Sequence, residues 1–115
     1  NEIILDAYNA NPSSMIVALE NFFLLDNKNK IAILGAMFEL GEDSSAEHNS
    51  IVQLLINNNS VVAYFIGKDF YANKIQNEKC HFFLKSAIDS NVLIKQCFYC
   101  GFGGHYDMCR VGSKV

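Results

Sequence analysis

The sequence predicts an α/β domain, a mostly parallel sheet flanked by helices. Three observations predict it. Short apolar runs rich in β-branched residues recur around Ile3, Ile31 and Val61. Between them lie stretches with apolar residues at helical spacing, most plainly Met15, Ala18, Leu19, Phe22 and Phe23. Turn-forming residues separate the two kinds of segment at Asn11-Pro12, Gly35, Asn57 to Asn59 and Gly67. Strands that alternate with helices imply parallel pairing, right-handed crossovers and a three-layer sandwich.

Taken in order, Glu2 to Asp6 reads as a buried strand. Asn11 then suits a helix N-cap, and Pro12 fits the first helical position, where no N–H is needed. The helix that follows ends at Asp26 to Asn29. Residues 30–37 give a second strand halted near Gly35, and Phe38 to Asp43 form a loop. Ser44 and Glu47 have the spacing of a capping box. His48, Ile51, Val52 and Leu55 share one side of the next helix. Val61 to Ile66 is apolar throughout, as for a strand covered on both faces.

Asp69 to Ile75 reads as a short helix, and Cys80 to Leu84 as a fourth strand. Ser86 and Asp89 offer a cap for a helix carrying Ile88, Val92 and Lys95. After Gln96 the character changes to a glycine- and aromatic-rich segment, with Met108 to Val111 as a last short strand. No repeat or linker divides the chain, so residues 1–115 are expected to form one domain.

The bulk properties narrow the function classes. Half of the 115 residues are hydrophobic and 18% are charged, a globular composition. A net charge of −3 gives no electrostatic footprint for nucleic acid or anionic lipid. No apolar run approaches the roughly 20 residues of a membrane span, and nothing reads as a signal peptide. The four cysteines do not form a disulfide framework, so reduced thiols and a cytoplasmic location are expected. The chain opens at Asn1 directly in a strand-like run and is expected to be a piece of a longer protein.

The stretch with most chemistry is Asp6-Ala-Tyr-Asn-Ala-Asn-Pro-Ser-Ser-Met15, at the carboxyl end of the first strand, where open sheets hold ligands. A carboxylate at Asp6 can accept ribose hydroxyls or lean toward a metal-bound phosphate. The amides of Asn9 and Asn11, with the helix N-terminus, can donate to phosphate oxygens. The same residue types also build any strand-to-helix turn. Elsewhere the structural reading leads. His48 is expected to be packed or hydrogen-bonded, and Glu39, Glu42, Asp43 and Glu47 suit a solvated loop and a helix dipole.

This stretch, followed by Leu34-Gly-Ala-Met-Phe-Glu-Leu-Gly-Glu42 and a helix with His48, resembles the C-terminal domain of the Mur ligases. The resemblance covers about residues 2 to 96 and implies a Rossmann-like fold. Its nearest branch joins D-Ala-D-Ala to a UDP-MurNAc-tripeptide through an acyl phosphate. The resemblance implies ATP and Mg held mainly by a central domain, with N-terminal and central domains outside this chain. It carries Asp6 to the nucleotide ribose, Asn9 to the phosphate end, and Tyr8, Asn11 and Pro12 to the same nucleotide- and substrate-binding turn. It assigns no catalytic residue and no metal ligand here. No G-x-x-x-x-G-K-[ST] loop occurs in the chain, so the piece alone is not expected to turn over ATP.

Three departures mark this sequence. Leu5 stands where the branch usually has a second Asp, Ala36 where it usually has Asp or Glu, and Arg110 to Val115 only loosely echoes the closing segment. A non-catalytic remnant of such a ligase is therefore an alternative. A further alternative lies in Cys97-x2-Cys100-x4-His105-x3-Cys109, which resembles a CCHC zinc knuckle. Those ligands can close a tetrahedral zinc site, with Phe98 and Tyr106 offered to single-stranded nucleic acid. Only Lys95, Arg110 and Lys114 supply positive charge there, so nucleic acid is not the expected partner.

Overall fold

The structure, a computed structural model, describes residues 2–5, 11–26, 29–84 and 96–101. It contains β1 (Glu2–Leu5), α1 (Pro12–Phe23), β2 (Asn29–Gly35), α2 (Ser44–Ile56), β3 (Val61–Ile66), α3 (Lys68–Tyr71), β4 (Cys80–Phe83) and β5 (Gln96–Gly101). The five strands form one sheet in the order β1-β5-β2-β3-β4. β2, β3 and β4 pair in parallel, with Gly35, Ile66 and Phe83 in register at their carboxyl ends.

β5 is the exception to parallel pairing. It lies antiparallel between β1 and β2, so that Ile3 and Ile31 both face Tyr99 across the ladder. β1 therefore runs in the same direction as β2 without touching it. This strand replaces the glycine-rich tail expected from Cys97 onward. Composition hid it, because its hydrogen-bond partners are distant in sequence.

Helix α1 forms where the sequence placed it. Asn11 has extended backbone angles, and Pro12 begins the helix. Met15, Leu19 and Phe22 are buried, while Ala18 and Phe23 pack against the same core from its margin. The C-terminus lacks a glycine cap. Lys30, only 4% exposed, instead sends its Nζ to the Phe23 carbonyl at 2.7 Å. A cation there satisfies an orphan carbonyl and complements the helix dipole.

Beyond Asn29 every residue of β2 is buried, which makes it the central strand of the core. Ala32 and Leu34 join Val61, Ala63, Phe65 and Cys80 in one cluster with Met15, Leu19 and Phe22 of α1, Ile51, Val52 and Leu55 of α2, and Phe70 of α3. One set of alternating strand positions thus meets all three helices. Successive crossovers in the same direction place their helices on the same face. The second helical layer expected from residues 86–95 lies outside the described residues, as does the strand expected at 108–111.

Three local expectations change. Ser44 and Glu47 do not form a capping box. The chain enters α2 through a 3-10 turn, Gly41–Asp43, so the preceding Asp43 is already helical and makes no side-chain cap. β3 alternates buried and half-buried residues rather than being covered equally on both faces. α3 is a single turn that buries only Phe70, leaving Ile75 beyond its end.

Candidate ligand-facing edge of the sheet

Because β1, β2, β3 and β4 share one direction, their carboxyl ends lie along one edge of the sheet. β1 ends there at Leu5, the loop 36–40 follows β2, and Gly67 follows β3. Open α/β sheets bind ligands in the crevice at that edge. Asp6, Tyr8 and Asn9 lie outside the described residues. Asn11 lies within them, and its geometry is explicit.

Asn11 Oδ1 accepts the Ser14 N–H at 2.9 Å, and Asn11 N–H donates to Ser14 Oγ at 3.3 Å. This reciprocal pair is a capping box. Met15 N–H donates to the Asn11 carbonyl at 2.9 Å, and Pro12 has no N–H. The cap leaves the Ser13 N–H as the first-turn donor that it does not use. An anion at this helix start would meet one free backbone donor rather than the three or four of an uncapped terminus. The Asn11 side-chain oxygen is already committed to the helix.

The loop after β2 is held from within. Met37 is buried, and its N–H donates to His48 Nε2 at 3.0 Å. The other ring nitrogen, Nδ1, donates to the Ser44 carbonyl at 2.7 Å, with Ser44 Oγ at 3.2 Å. Nε2 must accept and Nδ1 must donate, so His48 is the neutral Nδ1–H tautomer here. The Phe70 ring meets the imidazole edge-on, with centroids 4.6 Å apart. His48 is thus a fully satisfied core histidine, as its sequence context suggested.

Two further features shape the edge. Glu39 has a left-handed φ of 62°, and Gly41 follows at 59°. Gly67 adopts φ 120°, and a Cβ placed on it would stand 2.9 Å from Ala36 Cβ. Ala36 N–H also donates to the Ile66 carbonyl at 3.1 Å, and Gly67 N–H to the Phe83 carbonyl at 2.8 Å. The ends of β2, β3 and β4 are therefore stitched together by backbone bonds, with Ala36 pressed against a glycine. Sequence reading marked Ala36 only as a missing carboxylate. Its packing partner 31 residues away carries no local signal.

The zinc-knuckle alternative meets a strand. Cys97 pairs with Leu5 and Ile33, and Cys100 with Glu2 and Lys30, within the continuous ladder of β5. Residues three apart on a strand are roughly 10 Å apart along the chain. A tetrahedral site needs its paired cysteines converging at a turn. His105 and Cys109 lie outside the described residues. Among the described residues, no three His, Cys, Asp or Glu side chains gather as a metal site. Cys80 is free and buried, and burial pushes its thiol pKa up. No described helix is long and apolar enough to cross a membrane.

The family model for the Mur ligase, glutamate ligase domain, matches residues 1–91. The chain belongs to the Mur ligase family. Among curated Mur ligases, the UDP-N-acetylmuramoyl-tripeptide--D-alanyl-D-alanine ligase of Rickettsia prowazekii is 33% identical over 84 residues, which cover 68% of this chain and 19% of that protein. The protein of the same name from Buchnera aphidicola is 37% identical over 86 residues, 73% of this chain and 18% of its own. That from Treponema pallidum is 34% identical over 67 residues, 58% of this chain and 15% of its own. The chain spans about a fifth of the length of these Mur ligases. Both Mur-like sequence motifs lead onto the same sheet edge, one after β1 and one after β2.

Proposed function

We propose that this chain is the C-terminal domain of an ATP-dependent ligase that joins D-Ala-D-Ala to a UDP-MurNAc-tripeptide. The observation that carries the reading is the shared name of relatives at 33% and 37% identity, each covering at least 68% of the chain. In the full-length protein, the peptide's terminal carboxylate attacks the γ-phosphorus of ATP, giving an acyl phosphate and releasing ADP. The D-Ala-D-Ala amine then attacks the acyl carbon, loses a proton, and the tetrahedral intermediate expels inorganic phosphate as the amide forms. The product is a cytoplasmic precursor of peptidoglycan.

In this reading residues 1–115 form one domain that closes over the nucleotide and the incoming amine. Asp6 accepts a ribose hydroxyl, Asn9 reaches toward the phosphates, and Tyr8 and Asn11 belong to the same nucleotide- and substrate-binding stretch, which Asn11 and Pro12 shape. ATP and its magnesium are held mainly by a central domain that precedes this one, so the piece alone does not turn over. Closure keeps water from an acyl phosphate that hydrolyses readily. The test is amide and ADP formation by the purified full-length protein with ATP, the UDP-linked tripeptide and D-Ala-D-Ala. Absence of the amide product with an intact, folded protein sinks the reading.

A further inference from the structure

Six large hydrophobic side chains stand most exposed among the described residues: Val17, Leu24, Phe38, Ile75, Phe83 and Leu84. Three of them collect at the carboxyl edge. Phe38, 62% exposed, follows β2, while Phe83 at 44% and Leu84 at 57% end and follow β4. Single exposed apolar residues need no explanation, but their concentration on one edge does.

Phe38 is also held outward. On one side Met37 is buried and tied to His48, and on the other Leu40 packs against the core. Between these anchors Glu39 takes its left-handed turn, so the loop cannot tuck Phe38 inward without breaking both. Register places Phe83 level with Gly35 across two strand spacings, roughly 10 Å. Ala36 and Gly67, which follow β2 and β3 at the same edge and touch each other, carry almost no side-chain bulk. Glu39 is an exposed charge at its margin, and Lys68 another.

From this we infer that Phe38, Phe83 and Leu84 form a docking surface for the preceding part of the same polypeptide, with Phe38 as its fixed anchor. The inference rests on the ligase reading above and adds the surface through which the domain closes. The occupant follows from area. Three partly exposed side chains offer on the order of 300 Å². Two copies meeting through such a patch bury far less than the roughly 1,200 Å² of a stable interface between separate molecules. A tethered partner needs much less, because linkage holds it at roughly millimolar effective concentration. The relatives are about four times the length of this chain, which supplies that tethered partner. A rigid aromatic knob loses little side-chain freedom on docking, which suits an anchor.

The test uses the full-length protein and Phe38→Ser, Phe38→Leu and Leu84→Ser variants. Small-angle scattering is recorded with and without a non-hydrolysable ATP analogue and the UDP-linked peptide, beside kcat/KM and light scattering after gel filtration. The expected result is a ligand-dependent compaction that Phe38→Ser abolishes, with kcat/KM down roughly tenfold. Leu84→Ser gives a smaller loss, Phe38→Leu keeps most of both signals, and the urea midpoints of all variants match the parent. Compaction and turnover of Phe38→Ser equal to the parent would overturn the inference. So would a concentration-dependent dimer that Phe38→Ser dissolves, since that assigns the patch to a second copy. A parent that compacts through Phe38 yet makes no amide upholds the docking surface and removes the ligase reading.

Discussion

The imidazole of His48 accepts the backbone N–H of Met37 at 3.0 Å, in the buried core and across 11 residues of sequence. It fixes the loop after β2 to helix α2 with both ring nitrogens in use. Replacing His48 with Ala would leave the Met37 N–H and the Ser44 carbonyl without this partner and open a cavity beside Phe70. Each buried unsatisfied group costs about 1–3 kcal/mol, so a total loss of about 3 kcal/mol is expected. Urea unfolding of the parent and variant measures it. A change under about 0.5 kcal/mol would mean that the bond does not hold the loop.

Gly67 is the second stability test. Its φ of 120° lies outside the range that side chains adopt, and a Cβ would press on Ala36 Cβ at 2.9 Å. Gly67→Ala is expected to cost about 2 kcal/mol or more from backbone strain and overlap together. The double variant Gly67→Ala with Ala36→Gly removes the overlap but keeps the strained angle, so it recovers only part of the loss. Full recovery would show that the angle itself costs little.

The cap at Asn11 separates a structural role from a ligand role. Asn11→Ala breaks the reciprocal pair with Ser14 and is expected to lower stability by about 1 kcal/mol, while Asn11→Asp keeps the acceptor and most of the stability. In the full-length protein, kinetics of Asn11→Asp then read the ligand contribution with the helix intact. An unchanged KM for ATP in that variant would leave Asn11 as a cap alone.

Cys80 gives the pH prediction. Burial raises its thiol pKa above the ordinary value, so the folded protein resists forming the thiolate. The folded state then holds its proton after the unfolded chain has lost it. Stability is fully present below the unfolded pKa and falls as pH rises through and above that point. Peptide-mapped alkylation at pH 8 should label Cys80 slowly in the native protein and rapidly in urea. Equal rates would contradict its burial.

Asp6 carries the functional prediction. On the proposed function, Asp6→Ala in the full-length protein should raise the KM for ATP or lower turnover, with roughly tenfold change for a lost charge-assisted hydrogen bond. Unchanged steady-state kinetics would remove Asp6 from the nucleotide site.

Much of this fold is written locally. The spacing of Met15, Leu19 and Phe22, and the Asn11-Pro12 start, specify α1 without reference to anything else. The apolar content of Ile31 to Leu34 likewise announces a central strand. What stayed hidden depends on partners far along the chain. Ser44 and Glu47 have the composition of a cap, but the Gly41–Asp43 turn delivers the backbone already helical, and Ser44 Oγ turns to His48 instead. Cys97 and Cys100 have the spacing of metal ligands, yet β1 and β2 on either side draw that segment into a ladder. Of the site, the sequence marked the turn at 6–12 through residue chemistry. It did not reveal Phe38, because exposure is a property of the loop's anchors and not of phenylalanine.

The position of β5 has a consequence for how the chain folds. Among the described residues β1 pairs only with β5, and Ile3 finds Tyr99 across 96 residues. During synthesis the first strand therefore waits, unpaired, until nearly the whole domain has left the ribosome. α1, β2, α2, β3 and β4 can assemble in order, because each meets a neighbour already made. Closing the sheet around β5 is the long-range event, and topology of that kind folds slowly. A chain ended before Gln96 should keep the central parallel strands but leave β1 without its partner.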